Sequence, residues 1–106
     1  MDIAAIKQLA IELRARLREH QIPTDCVILF GSQARKQAHA QSDIDFAVIS
    51  RAFGRDRFAE GALLNRLAVK VHPDIEAIPI GLKDFLNPIS LSPILHELKT
   101  TGTVLL

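Results

Sequence analysis

Apolar residues recur at intervals of three and four near the N-terminus of the chain. Within residues 3–20 they stand at Ile3, Ile6, Ala10, Leu13 and Leu17. This spacing places them along one side of a helix, so the pattern predicts an amphipathic helix over this range. Asp2 is suited to accept a hydrogen bond from a free amide of the first turn, and Pro23 prevents the helix from continuing.

Three shorter segments predict β-strands. Residues 26–30 (CVILF) are wholly apolar, as expected of a strand that is covered on both faces. Residues 43–49 are also typical of a strand, although they include two aspartates. In residues 74–80 polar and apolar side chains alternate, which places Asp74 and Glu76 on the same face of a third strand.

The remaining pattern predicts more helices and completes the fold class. The further elements are a short helix that begins at Ser32, a helix over residues 56–70 with Asp56 as its cap, and a turn at residues 83–86. They are followed by a helix that starts at Ser92 and Pro93, runs to about Thr100 and stops at Gly102, and by a short strand in residues 103–106. The order α-β-(α)-β-α-β-α predicts an α/β (α+β) domain in which a small mixed sheet of three to four strands is flanked by helices.

Length and composition narrow the class of protein. The 106 residues are expected to form one domain (1–106), because domains cluster near about 100–150 residues. With 13 basic and 12 acidic residues, the net charge is too small to indicate a nucleic-acid partner.

The single Cys26 excludes an internal disulfide, and the absence of a signal-like or long apolar segment predicts a cytoplasmic protein without membrane contact. The apolar content of 48% favours a protein interface and leaves a homo-oligomer open.

Two acids stand one residue apart in the second predicted strand. Asp43 and Asp45 would project from the same face, about 7 Å apart along the backbone. One interpretation is that both are solvent-exposed acids on an outward face. The other is that they share a cation, because neighbouring carboxylates raise each other's pKa unless a positive charge neutralises them. Mg²⁺ prefers such oxygen ligands, and a third acid would complete a two-metal site for an in-line displacement. Glu76 and Asp74 are the candidates for that acid.

A Gly-Ser step lies eleven residues before these acids. Gly31 lacks the Cβ that would keep a phosphate away from the backbone, and the amides after Ser32 would begin a helix, where an anion is favoured. The Ser32 hydroxyl and the Arg35 guanidinium could add hydrogen bonds to the same phosphates. An anion site beside a cation site is the arrangement that nucleotidyl transfer requires.

The residues GSQAR followed by SDIDFAV resemble the signature of the DNA polymerase β-like nucleotidyltransferase superfamily. The length of the chain is similar to that of the minimal nucleotidyltransferases (MNT), which are often encoded beside a helical HEPN partner. The resemblance implies the nucleotidyltransferase fold, two Mg²⁺ ions, and ATP or another nucleoside triphosphate as substrate. It also implies a HEPN-like partner encoded nearby, whose hydroxyl accepts AMP, so that this chain would act as an antitoxin.

The resemblance also assigns roles to individual residues. Gly31 and Ser32 would hold the nucleotide phosphates, with Arg35 and Ser42 nearby. The catalytic and metal-binding acids would be Asp43, Asp45 and a third acid that helps to activate the attacking hydroxyl. The third position matches Glu76 best, and Asp74 is the second choice.

Two departures from the family pattern keep alternatives open. Lys36 stands where many relatives have glycine, and Glu76 stands where most have aspartate, so its carboxylate is one methylene farther from the backbone. One alternative is a catalytically weak or inactive fold that neutralises its partner by binding alone. Another is a nucleotidyltransferase that modifies a small molecule of the aminoglycoside kind.

Overall fold

The computed structural model describes residues 1–34 and 43–106. In chain order these residues form α1 (Ile3–Glu19), β1 (Cys26–Phe30), α2 (Gly31–Ala34), β2 (Ile44–Ser50), α3 (Arg57–Val71), β3 (Ile75–Gly81), α4 (Leu82–Leu86), α5 (Pro93–Thr101) and β4 (Thr103–Val104). Each predicted strand and helix in this part of the chain is present, with ends close to those expected from the sequence.

Four strands of the described chain form one mixed sheet in the order β3-β2-β1-β4. Strand β1 runs antiparallel to both β2 and β4, whereas β2 and β3 are parallel. The parallel pair is connected by α3, since parallel neighbours need a crossover and cannot be joined by a tight turn. The predicted fold class, a small mixed sheet flanked by helices, is confirmed.

Alternation along the strands divides the interior into two apolar layers. On one face, Val27, Leu29 and Phe46 pack with buried residues of α1 and α3. On the other face, Ile28, Ala47 and Ile49 pack against Leu95 and Leu98 of α5. Both faces of β1 and β2 are therefore buried over most of their length, which explains why these strands have wholly apolar runs.

Helix ends follow the capping residues that the sequence suggests. The Asp2 carboxylate accepts a hydrogen bond from the Ala5 amide at 2.8 Å, and Asp56 accepts one from the Ala59 amide at 3.1 Å. The Ser92 hydroxyl lies 3.5 Å from the Leu95 amide at the start of α5. Such caps satisfy amide groups that have no partner within the helix, and so fix where each helix begins.

Among residues 1–34 and 43–106, no helix has the length and apolar character needed to cross a membrane.

Candidate active site

One row of side chains crosses three strands at one end of the sheet. Phe30 of β1 lies opposite Asp45 of β2, and Asp45 lies beside Glu76 of β3. Residues in direct register on neighbouring strands point to the same face, so these three side chains share the face that α5 partly covers. Phe30, Asp45 and Glu76 are called the acid row below.

The acid row gives way to apolar rows farther along the same face. Two residues along each strand, Ile28, Ala47 and Ile78 form the next row, and Cys26, Ile49 and Ile80 form the one after it. Leu95 and Leu98 of α5 pack on these apolar rows. Asp45 is partly buried and Glu76 is exposed, so the acids lie where the apolar cover of the face ends.

Gly31 turns the chain directly beside the acid row. Its φ is +70°, a conformation that residues with a Cβ rarely adopt. A Cβ at this position would overlap the Asp45 carboxylate, because it would lie only 3.2 Å from Asp45 Cγ. The glycine predicted for close phosphate approach is therefore also required for close approach of Asp45 to the backbone.

The other two candidate acids lie at the same end of the parallel pair. Asp43 directly precedes β2 and Asp74 directly precedes β3, and both are exposed. The Ile44 amide donates a hydrogen bond to the Asp74 carbonyl at 2.9 Å, which joins the two strand entries. Four acidic residues are therefore carried at this end of β2 and β3. In the described residues, however, no three acidic, histidine or cysteine side chains are close enough to hold one metal ion.

Two of the predicted phosphate contacts, Arg35 and Ser42, lie outside the described residues, as does Lys36. Ser32 is described and partly buried in α2, directly after Gly31. Of the predicted nucleotide-binding set, Gly31 thus lies beside Asp45, and Ser32 is the residue that follows it.

Glu97 of α5 contacts this site, although it is not among the residues predicted from the sequence. The Gly31 amide donates a hydrogen bond to its carboxylate at 3.3 Å, across 66 positions of the chain. The neighbours Leu95 and Leu98 are buried, and this fixes the side of α5 on which Glu97 lies. An isolated glutamate on an amphipathic helix carries no local signal of such a role.

A cavity of about 700 Å³ adjoins the acid row on the side of β3. Phe30, Ile78 and Ile80 contribute apolar surface to it, while Ser90 and Ser92 contribute hydroxyls. Phe30 lines the cavity and also belongs to the acid row, whereas neither Asp45 nor Glu76 lines it.

Comparison with known proteins identifies the family of the chain. The sequence model of the Polymerase beta nucleotidyltransferase family matches residues 12–106. None of the curated proteins matches the chain in sequence.

Solved structures of similar fold include toxin–antitoxin complexes. A chain of a toxin–antitoxin crystal structure with AMP-PNP is 30% identical, with a TM-score of 0.61; the match covers 94% of this chain and 72% of that one. A chain from the complex of the tri-AMPylated Shewanella oneidensis HEPN toxin with its MNT antitoxin is 27% identical, with a TM-score of 0.58, and the match covers 99% and 72% of the two chains.

A third structure, a putative nucleotidyltransferase from Sulfolobus solfataricus, matches with a TM-score of 0.66 over 96% of this chain and 80% of that one. Its identity is 15%, so it supports the fold alone. The family match over residues 12–106, together with the Gly-Ser step beside the acid row, leads to one conclusion: the chain belongs to the polymerase β-like nucleotidyltransferases and is of the minimal, MNT type.

Proposed function

We propose that this protein transfers a nucleoside monophosphate, in the first place AMP from ATP, to a hydroxyl group of a HEPN-type partner protein and so acts as its antitoxin. The observation that carries the proposal is the placement of Gly31 against Asp45, with Glu76 on the adjoining strand. A phosphate that approached the backbone at Gly31 would lie beside the Asp45 carboxylate, which can hold a cation.

Asp45 and Glu76 fit Mg²⁺ as a pair of ligands, because Mg²⁺ is usually held by one or two carboxylates together with phosphate oxygens. Asp45 and Glu76 are direct neighbours on parallel strands, about 5 Å apart at the backbone, and both are hard oxygen donors. Asp43 lies two residues before Asp45 and would share with it the ion that accompanies the nucleotide. When bound, Mg²⁺ lowers the pKa of an attacking hydroxyl and stabilises negative charge on the phosphates.

The chain's own residues would position the reacting groups. Gly31 and Ser32 would hold the nucleotide phosphates, with Arg35 and Ser42 as further contacts. Asp43 and Asp45 would fix the nucleotide through its cation, and Glu76 would accept the proton of the acceptor hydroxyl. The hydroxyl oxygen then bonds to the α-phosphorus while the bond to the β-phosphate breaks, and pyrophosphate leaves with that electron pair.

A protein acceptor fits the surface around the site. Four large apolar side chains are more than 60% exposed and are next in sequence to residues that line the 700 Å³ cavity. They are Phe58, Leu86, Ile89 and Leu91. Exposed apolar residues grouped in this way are typical of protein interfaces. Two of the structural neighbours are chains of toxin–antitoxin complexes, and they support the same class of partner.

The experiment is transfer of a labelled nucleotide to the product of the adjacent gene. The chain is incubated with that product, Mg²⁺ and α-labelled ATP, and the reaction is repeated with the Asp43→Ala/Asp45→Ala variant. We expect label on the partner with the unchanged chain and none with the variant. A stable complex that acquires no label would contradict the enzymatic function.

A second function, neutralisation of the partner by binding alone, is favoured by the contact between Glu97 and the Gly31 amide. That contact occupies a donor that a phosphate would use. Binding alone predicts that the Asp43→Ala/Asp45→Ala variant still suppresses the partner's toxicity in cells, whereas nucleotidyl transfer predicts that suppression is lost.

A further inference from the structure

The side chain of Asn65 forms a closed pair of hydrogen bonds with the backbone of Ala77. The Ala77 amide donates to Asn65 Oδ1 at 2.9 Å, and Asn65 Nδ2 donates to the Ala77 carbonyl at 2.7 Å. Asn65 Nδ2 also donates to the Gly61 carbonyl within α3 at 2.9 Å. The side-chain amide therefore pairs with Ala77 as the peptide group of a neighbouring strand would.

This pairing lies on the outer side of β3, the edge strand of the sheet. The two backbone groups of one residue in a parallel strand point to the same side, so the Ala77 groups that meet Asn65 face away from β2. Two residues along, Pro79 faces outward as well, and proline has no N–H to offer. At Ala77 the outer edge of β3 is therefore held by a side chain of α3.

Ala77 directly follows Glu76, which is a member of the acid row, along β3. The partner of Glu76 across the sheet is Asp45, and β2 holds β3 from the inner side only. An edge strand that is paired on one side opens more easily than a central strand. The Asn65–Ala77 pair adds a second attachment at this point, and it comes from a helix anchored in the core by Leu64 and Leu67.

We propose that Asn65 is a positioning residue for the acid row: by holding Ala77 from the outer side, it sets the place of the Glu76 carboxylate relative to Asp45. The proposal rests on the proposed function in assigning Glu76 to cation binding. The nucleotide itself is held on the other side of Asp45, so Asn65 acts on one part of the site only.

The test is a titration with Mn²⁺ at saturating AMP-PNP, in which bound ions are counted by electron paramagnetic resonance. Two variants remove the pairing in different ways. Asn65→Leu removes all three hydrogen bonds, while Asn65→Asp keeps the acceptor for the Ala77 amide and places a carboxylate against the Ala77 carbonyl. We expect both variants to lower the affinity for the ion bound through Glu76 by about 10-fold, as is usual when a residue that orients a metal ligand is lost.

The readout separates positioning from general loss of structure. The affinity for the ion held with the nucleotide by Asp43 and Asp45 should be unchanged in both variants. A loosened fold would instead lower the affinity for both ions. Asn87→Asp is the matched control, because Asn87 lines the same cavity and only accepts a hydrogen bond, from the Ile89 amide at 3.1 Å. This control introduces the same change of charge as Asn65→Asp and should leave the affinities for both ions unchanged.

Hydrogen exchange at the Ala77 amide distinguishes failure of this proposal from failure of the proposed function. The amide should exchange faster in Asn65→Leu than in the unchanged chain, with or without nucleotide. Unchanged exchange overturns the proposal whatever the ions do. Faster exchange with unchanged affinity for both ions also overturns it, whereas an unchanged chain that binds no Mn²⁺–AMP-PNP overturns both the proposed function and the role of Asn65 in it.

Discussion

Gly31 and Asp45 are mutually constrained: the Asp45 carboxylate fills the space that a Cβ on Gly31 would occupy. The glycine also has a φ of +70°, so two independent features of the backbone require the absence of a side chain. The turn that ends β1 therefore determines how closely the carboxylate can approach the segment that would hold phosphates.

The first prediction follows from this constraint. Gly31→Ala should displace the Asp45 carboxylate and force alanine into the left-handed region, at a cost of about 1–3 kcal/mol in the free energy of unfolding. Urea denaturation measures that cost. Calorimetric titration with Mg²⁺–AMP-PNP should show weakened binding, because the carboxylate and the phosphate position move together.

Gly61→Ala is the matched control for this substitution. Gly61 lies inside α3, and the nearest atom to its added Cβ would be Pro79 Cδ at 3.8 Å, an ordinary contact. Alanine in a helix interior is favoured over glycine, so this variant should gain about 0.5–1 kcal/mol and bind the nucleotide normally. Equal losses in both variants would show that the carboxylate contact has no special role.

The second prediction concerns the third acid. Glu76 lies in register with Asp45, whereas Asp74 precedes β3 and its backbone carbonyl is engaged by the Ile44 amide. Glu76→Gln should reduce labelled-AMP transfer by at least about 100-fold, the lower range for loss of a general base. Asp74→Asn should reduce it by less than about threefold, within the range of exposed charge effects. The reverse order would assign the role to Asp74.

The sequence predicts those parts of the structure that depend on neighbouring residues. The caps at Asp2 and Asp56 and the apolar strand at residues 26–30 were confirmed because capping and burial leave a signal within a few positions. Alternation in residues 74–80 placed Glu76 on one face of its strand. The register that puts Glu76 beside Asp45 depends on the order of the strands, and no local pattern determines it.

Contacts made by α5 could not be predicted for the same reason. Glu97 meets Gly31 only because α5 packs across the apolar rows of the sheet, and Asn65 meets Ala77 only because α3 lies over the edge strand. Both side chains are ordinary helix-surface residues in the sequence. Their roles arise from the packing of whole elements and not from a motif.

The third prediction concerns Glu97. Its carboxylate accepts a hydrogen bond from the Gly31 amide, where it places a negative charge beside the proposed phosphate position. Glu97→Gln keeps an acceptor and removes the charge, so the affinity for Mg²⁺–AMP-PNP should rise by about two- to fivefold. Glu12→Gln, on the exposed side of α1, makes the same change of charge away from the site and should have no effect. Weaker binding in Glu97→Gln would instead indicate that Glu97 helps to hold the cation.

The last prediction is a dependence of stability on pH. Asp25, which directly precedes β1, accepts hydrogen bonds from the Arg51 amide at 2.7 Å and from Arg51 Nη2 at 2.5 Å. Hydrogen bonding by the Arg51 side chain, and to a lesser degree by the Arg51 amide, holds the pKa of the Asp25 carboxyl below its ordinary value. A carboxyl whose pKa is lowered by folding stabilises the fold above its unfolded-state pKa, and this contribution is lost as the pH falls through the folded-state value.

Urea denaturation over a range of pH tests this coupling. The unchanged chain should have a higher unfolding midpoint than Asp25→Asn above about pH 5, where the carboxyl is ionised in both the folded and the unfolded state. The difference should shrink below about pH 4 and vanish once Asp25 is protonated in the folded protein as well. A difference that stays constant down to low pH would mean that the charge of Asp25 contributes nothing to the stability of the fold.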